Sequence, residues 1–194
     1  MFDIYLASRS PRRAALLDQI GVRYQVLDVD IDERWDGREP PREFVSRLAL
    51  EKARAGRRIA PGSLPVLAAD TEVVLEDRLL GKPADRNAAL AMLRALSASA
   101  HQVYSAVALV HAAEEVRVSV SRVEFRAISA EECERYCDSG EPFGKAGGYA
   151  IQGLGALFVS RLEGSFSGVV GLPLLETGAR LESAGIRPGR VTAR

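Results

Sequence analysis

No run of apolar residues in this chain approaches the roughly 18 needed to cross a bilayer. The opening MFDIYLASRS puts Asp3 where a signal peptide carries its positive segment. A soluble, cytoplasmic protein with no membrane partner is the expectation. Cysteine is nearly missing: Cys133 and Cys137 are the only two among 194 residues. They sit four apart in a helical pattern with no His or Cys nearby to complete a metal set. That excludes a disulfide framework and leaves reduced helix residues. Neither sign of charge is in excess, since 26 Lys and Arg balance 26 Asp and Glu. Nonspecific nucleic-acid binders usually show a basic excess, so no stable nucleic-acid partner is expected, although a local basic site remains open. The two histidines, His101 and His111, fall in no base or metal pattern and, with Trp35, are read as surface or strand residues. There is no internal repeat, low-complexity segment or linker, so residues 1–194 are read as a single domain.

What is present is an alternation of short apolar runs with helical patterns, the mark of an α/β fold. FDIYLAS reads as a buried strand. Ser10 then stands as N-cap with Pro11 at the first helical position, and Gly21 as the stop. RYQVLDVDIDE reads as a second strand running into acidic residues. After Pro40 and Pro41 comes a long helix with Phe44, Val45, Leu48 and Ala49 inward and Lys52 one turn on. PVLAAD reads as a buried strand ending on Asp70, followed by a hairpin with its tip near Glu76 and Asp77. Asp85 caps a helix that faces Ala89, Leu93 and Leu96 inward. Two longer strands follow, the second changing phase between Ser121 and Arg122, which predicts a bulge or bend there. Ser129 and Glu132 form a capping-box pattern. Nine of the seventeen glycines fall between 140 and 171, and a last helix covers about 173–184.

Four stretches carry chemistry. LASRSPRRAALL sets Ser8, Ser10, Arg12 and Arg13 at a helix start, where the macrodipole disfavours cations. An anion there reverses that sign, because free backbone N–H groups, hydroxyls and two guanidinium groups converge on it. The alternative is that both arginines extend into solvent or pair with surface carboxylates. It is not a Walker loop, which needs other glycine spacing and a terminal Lys-Ser/Thr. Asp70 stands at the end of a buried strand and Glu33 closes DVDIDE after another strand, and two carboxylates with a divalent cation can bridge phosphate oxygens. Taken alone, Asp70 reads as a cap or turn residue, and Asp28, Asp30 and Asp32 compete with Glu33. Lys52 and the Lys82 of GKP are cations for phosphate, or a solvated charge and a turn residue. In GKAGGYAIQG the glycines permit close backbone approach, and Gln152 can read a planar amide edge in both directions.

Taken in order, LASRSPRRAALL, RLALEKA, AADT, GKP, GGYAIQG and GSFSGVVGLPL resemble the Maf family of nucleotide pyrophosphatases, also described as septum-formation inhibitors. The likeness spans nearly the whole chain. It implies an elongated mixed β-sheet flanked by helices, in two lobes with a central cleft, related to inosine-triphosphate pyrophosphatases. It also implies a reaction dependent on Mg²⁺ or Mn²⁺ in which a nucleoside triphosphate and water give the monophosphate and pyrophosphate. On that resemblance Ser8, Ser10, Arg12, Arg13, Lys52 and Lys82 grip the triphosphate, Glu33 and Asp70 hold the metal, and Asp70 is the catalytic acid/base.

Arg12, Thr71 and Gln152 resemble the subgroup associated with dTTP and UTP, where a 7-methyl-GTP subgroup carries Trp, Gln and Glu. Gln152 suits a pyrimidine imide, which offers one acceptor and one donor. Modified pyrimidine nucleotides fit the same pocket. The alternatives are a 7-methyl-GTP-type enzyme and a non-catalytic inhibitor of cell division. Oligomeric state is left open, a homodimer included.

Overall fold

The computed structural model describes residues 2–35 and 37–189. Its elements run β1 (Ile4–Leu6), α1 (Pro11–Gln19), β2 (Tyr24–Val26), α2 (Pro41–Ile59), β3 (Val66–Leu75), β4 (Arg78–Leu79), α3 (Arg86–Leu96), β5 (Ala100–Val110), β6 (Glu114–Phe125), α4 (Ala130–Asp138), β7 (Val159–Glu163), α5 (Phe166–Val170) and α6 (Leu174–Ser183). The strands form one mixed sheet in the order β2-β1-β3-β5-β6-β7, with β4 paired to β3. β1 is parallel to both β2 and β3, while β3–β4 and β6–β7 are antiparallel. The class is α/β, a mixed sheet flanked by helices. Among the described residues no helix is long and apolar enough to cross a membrane.

Contacts divide the chain into two units. The first holds the described residues up to Asp70, Ser105–Ser119, and those from Gly171 onward. In it, α2 buries Phe44, Val45, Leu48, Ala49, Ala53, Ala55 and Gly56. Gly56 lets the helix lie directly on the strands: a Cβ there would stand 2.8 Å from both Ala7 Cβ and Val66 Cγ1. Lys52 is one turn earlier on the same helix face, so this close approach also delivers its ammonium toward β3. Two consecutive residues of β6 anchor helices, Glu114 by Arg54 of α2 and Glu115 by Arg180 of α6.

The second unit comprises Thr71–Tyr104 and Val120–Val170. Asp85 accepts the Ala88 amide at 2.8 Å and caps α3. Ser129 and Glu132 form a complete capping box on α4. Cys133 and Cys137 are buried free thiols on that helix, raised above their ordinary value by burial. His101 is a core residue, with only 2% of its surface exposed. Its ring meets Phe125 edge-on at 5.0 Å and Tyr149 at 5.4 Å, and Nε2 lies 2.8 Å from the Tyr149 hydroxyl.

Burial lowers the His101 value from 6.5 to about 4. The folded state therefore stays unprotonated where the unfolded chain takes up a proton, and stability falls as pH drops from 6.5 towards 4. In denaturant titrations this costs the wild type about 2 kcal/mol between pH 7 and pH 4.5. His101→Phe lacks that component, so the stability gap between the two proteins shrinks over this range. A constant gap would mean that His101 is protonated equally in both states.

Three differences from the sequence reading have physical causes. β3 does not end on Asp70 but continues to Leu75; Asp70, Thr71 and Glu72 break the apolar run without breaking the ladder. Its hairpin turns at Glu76 and Asp77, both with positive φ, as a two-residue turn between strands requires. β2 is only three residues long, and the acidic stretch after it is irregular. In β6 the buried face is Ser121, Val123 and Phe125, and the register irregularity with β7 falls at Glu124/Phe125, beyond the expected place.

Candidate active site

In the first unit, β1 ends into a serine turn ahead of α1. Ser10 occupies the N-cap position with Pro11 after it, but its side chain makes no cap hydrogen bond, contrary to the sequence expectation. The Ser10 amide instead donates to Ser8 Oγ at 3.2 Å. The buried Ser8 hydroxyl also accepts Arg13 Nη1 at 3.2 Å, while Arg13 Nε donates to the Gly171 carbonyl at 2.9 Å. Arg13 is thus a strut between the turn and the segment before α6, carrying its charge into the helix start. Arg12 is half-buried in the same turn, and burial pulls its guanidinium below the ordinary value. A bound anion favours the charged form and offsets that cost.

The centre of this unit is Lys52. Its Nζ lies 2.7 Å from Glu33 Oε1 and 2.7 Å from Asp70 Oδ1. Lys52 is 11% exposed, Asp70 7% and Glu33 43%, so the Lys–Asp half is shielded and the Lys–Glu half faces solvent. Asp70 Oδ2 is buried and has no hydrogen-bond partner among the described residues. The structure also separates Glu33 from its acidic neighbours: Asp28 pairs with Arg9 and Asp32 with Arg34.

No group of three or more His, Cys, Asp or Glu able to hold a metal occurs among the described residues. The pair present nevertheless fits a hard divalent cation. Mg²⁺ binds through one or two carboxylates, keeping waters and substrate phosphates in its other positions, and the orphaned Asp70 oxygen is an unused ligand of the right type.

In the second unit, Thr71 is half-buried on β3, whereas Lys82 and Gln152 are exposed in loops. The Gly147 amide donates to the Gly81 carbonyl at 2.7 Å, tying the Gly81–Lys82–Pro83 turn to the glycine-rich loop. Gly147 is required there: its φ is +69°, and a Cβ would reach within 2.9 Å of Val73. Two residues that the motifs do not flag hold the loop around Gln152. The Ala150 amide donates to the Tyr136 hydroxyl at 3.0 Å, and the Leu154 and Gly155 amides donate to the Glu141 carboxylate at 3.0 Å each. The one sequence trace of this arrangement is Gly153, whose Cβ would stand 2.3 Å from Glu141 Oε2.

The chain matches the family model described as Maf-like protein over residues 3–184. It is 54% identical to the dTTP/UTP pyrophosphatase of Alkalilimnicola ehrlichii, over 92% of this chain and 91% of that one. It is 52% identical to the enzyme of that name from Saccharophagus degradans, over 93% and 88%, and 49% identical to the one from Cupriavidus pinatubonensis, over 95% and 98%. A dITP/XTP pyrophosphatase structure from Mycobacterium abscessus aligns over 93% of each chain at 22% identity and a TM-score of 0.47. A Staphylococcus aureus Ham1 structure aligns over 63% of this chain and 71% of that one, at 16% identity and a TM-score of 0.45. The family model spans both units without a break, and together with full-length relatives sharing about half of their residues it makes this chain a member of the Maf family.

Proposed function

We infer that the protein is a nucleoside triphosphate pyrophosphatase that hydrolyses dTTP and UTP to the nucleoside monophosphate and pyrophosphate. The observation that carries the reading is the Lys52 ammonium set between the Glu33 and Asp70 carboxylates, with one buried Asp70 oxygen left unbonded. The names of the relatives give the substrate. The family match across both units supports one Maf-like domain.

Asp70 Oδ1 is pinned by Lys52, so Oδ2 is the atom that takes the proton from the attacking water. The water oxygen bonds to the α-phosphorus as the α–β bridging P–O bond breaks, and pyrophosphate leaves with the electron pair. Ser8, Ser10, Arg12 and Arg13 are assigned to the triphosphate, as is Lys82. Lys52, with two of its three donors used, offers the third to a phosphate oxygen. Fixed cations stabilise the charge gained by the leaving group. Glu33 and Asp70, the latter through water so that its Oδ2 can still take the proton, would hold Mg²⁺ or Mn²⁺, which when bound supplies further positive charge to the phosphates. Arg12, Thr71 and Gln152 carry the base preference, with modified pyrimidines inside its range. On this reading the enzyme works in the cytoplasm.

Hydrolysis of dTTP in ¹⁸O-labelled water tests the bond cleaved. Label in dTMP with unlabelled pyrophosphate is expected, whereas label in pyrophosphate or release of orthophosphate would overturn attack at the α-phosphorus. Gln152→Glu tests the pocket: a carboxylate cannot donate to the pyrimidine carbonyl, so kcat/KM for UTP falls about tenfold or more. Unchanged kcat/KM would remove Gln152 from base reading.

A further inference from the structure

We propose that Glu141 is a positioning residue for base selection, acting on Gln152 through a clamp that it forms with Tyr136. The clamp grips both ends of a short loop. On one side the Tyr136 hydroxyl accepts the Ala150 amide at 3.0 Å and donates to Glu141 Oε1 at 2.8 Å. On the other, Glu141 Oε1 accepts the Gly155 amide and Oε2 the Leu154 amide, each at 3.0 Å. Gln152 lies between the two anchored points, exposed at the turn closed by the Gly153 amide on the Ala150 carbonyl. Gly153 sits against the carboxylate so closely that no side chain fits there without displacing it.

The arrangement requires a carboxylate. Three donors converge on Glu141, and an ionised carboxyl is acceptor-only at both oxygens. An amide of the same shape turns one acceptor into a donor and sets it against an N–H or O–H. Burial raises the Glu141 carboxyl, but the amides of Gly155 and Leu154 and the Tyr136 hydroxyl outweigh it, and the net shift is downward. Lys145 adds a contact to the Glu141 main-chain carbonyl. The clamp holds the backbone on either side of Gln152, at Ala150, Leu154 and Gly155, so its effect falls on base discrimination.

The inference rests on Gln152 being the base reader, and the test separates the two. Steady-state kcat and KM are measured for UTP and GTP in the wild type, Gln152→Ala, Glu141→Gln and Tyr136→Phe. Ser129→Ala, which removes the N-cap of α4, serves as a stability control. If Gln152→Ala collapses the UTP/GTP ratio of kcat/KM, Glu141→Gln is expected to lower it about tenfold, mainly through KM for UTP. Tyr136→Phe is expected to act in the same direction, and it alone decides the matter if Glu141→Gln does not fold. Ser129→Ala lowers the melting temperature and leaves the ratio unchanged. A collapse in Gln152→Ala with wild-type ratios in the clamp variants overturns the role of Glu141. A wild-type ratio in Gln152→Ala overturns the base-reader assignment itself. Equal loss of the ratio in Ser129→Ala would reduce the clamp to general stability.

Discussion

Replacing Asp70 with Asn is expected to lower pyrophosphate release about a thousandfold, within the range for a lost general base, while the protein stays folded. Asn keeps the shape and one acceptor, so the Lys52 contact at 2.7 Å survives. Glu33, also 2.7 Å from the ammonium, still balances the charge. What is lost is the buried oxygen without a partner, which becomes an NH₂ that cannot take a proton. Burying that unbonded donor costs about 1 kcal/mol of stability, a melting shift far too small to account for the rate. Steady-state kinetics alongside thermal unfolding separate the two. A near-wild-type rate in the folded variant removes Asp70 from the mechanism.

Lys52→Met has the second largest effect, and it falls on stability as well as rate. The substitution keeps an apolar stem of similar length and leaves two carboxylates that faced the same nitrogen. Asp70 is the costly one, being 7% exposed, while Glu33 at 43% can turn to water. Removing one partner of a buried pair costs about 3 kcal/mol, because the remaining charge is uncompensated. Chemical denaturation should show that loss, and added Mg²⁺ should restore part of it by occupying the vacated carboxylates. The double variant Lys52→Met/Asp70→Asn is expected to be more stable than Lys52→Met alone, since the buried charge is gone. If Lys52→Met is as stable as the wild type, the ion pair does not hold the site together.

Much of this is legible in the sequence, for identifiable reasons. Arg12 and Arg13 stand out because cations at a helix start run against the dipole, and a residue that violates a local rule invites a functional cause. The Lys52 face follows from helical spacing, since Phe44, Val45, Leu48 and Ala49 fix which side of α2 is inward. Other features depend on long-range pairing. Asp70 looks like a strand end because three polar residues follow the apolar run, yet β3 continues through it. His101 looks like an ordinary strand residue because no neighbour in sequence signals Tyr149, 48 positions away. The Glu141 clamp is hidden for the same reason, its partners being backbone amides, which carry no mark in a sequence. Glu33 is one of several acids in its stretch, and only the folded chain shows that it, rather than Asp28 or Asp32, pairs with Lys52.

Pyrophosphate release from dTTP, UTP, CTP, GTP and 7-methyl-GTP, each with Mg²⁺, with Mn²⁺ and with chelator, tests the central claim most directly. The account predicts metal-dependent release from dTTP and UTP, little from the others, and none with chelator. Preference for 7-methyl-GTP, or no release from any triphosphate, would contradict it.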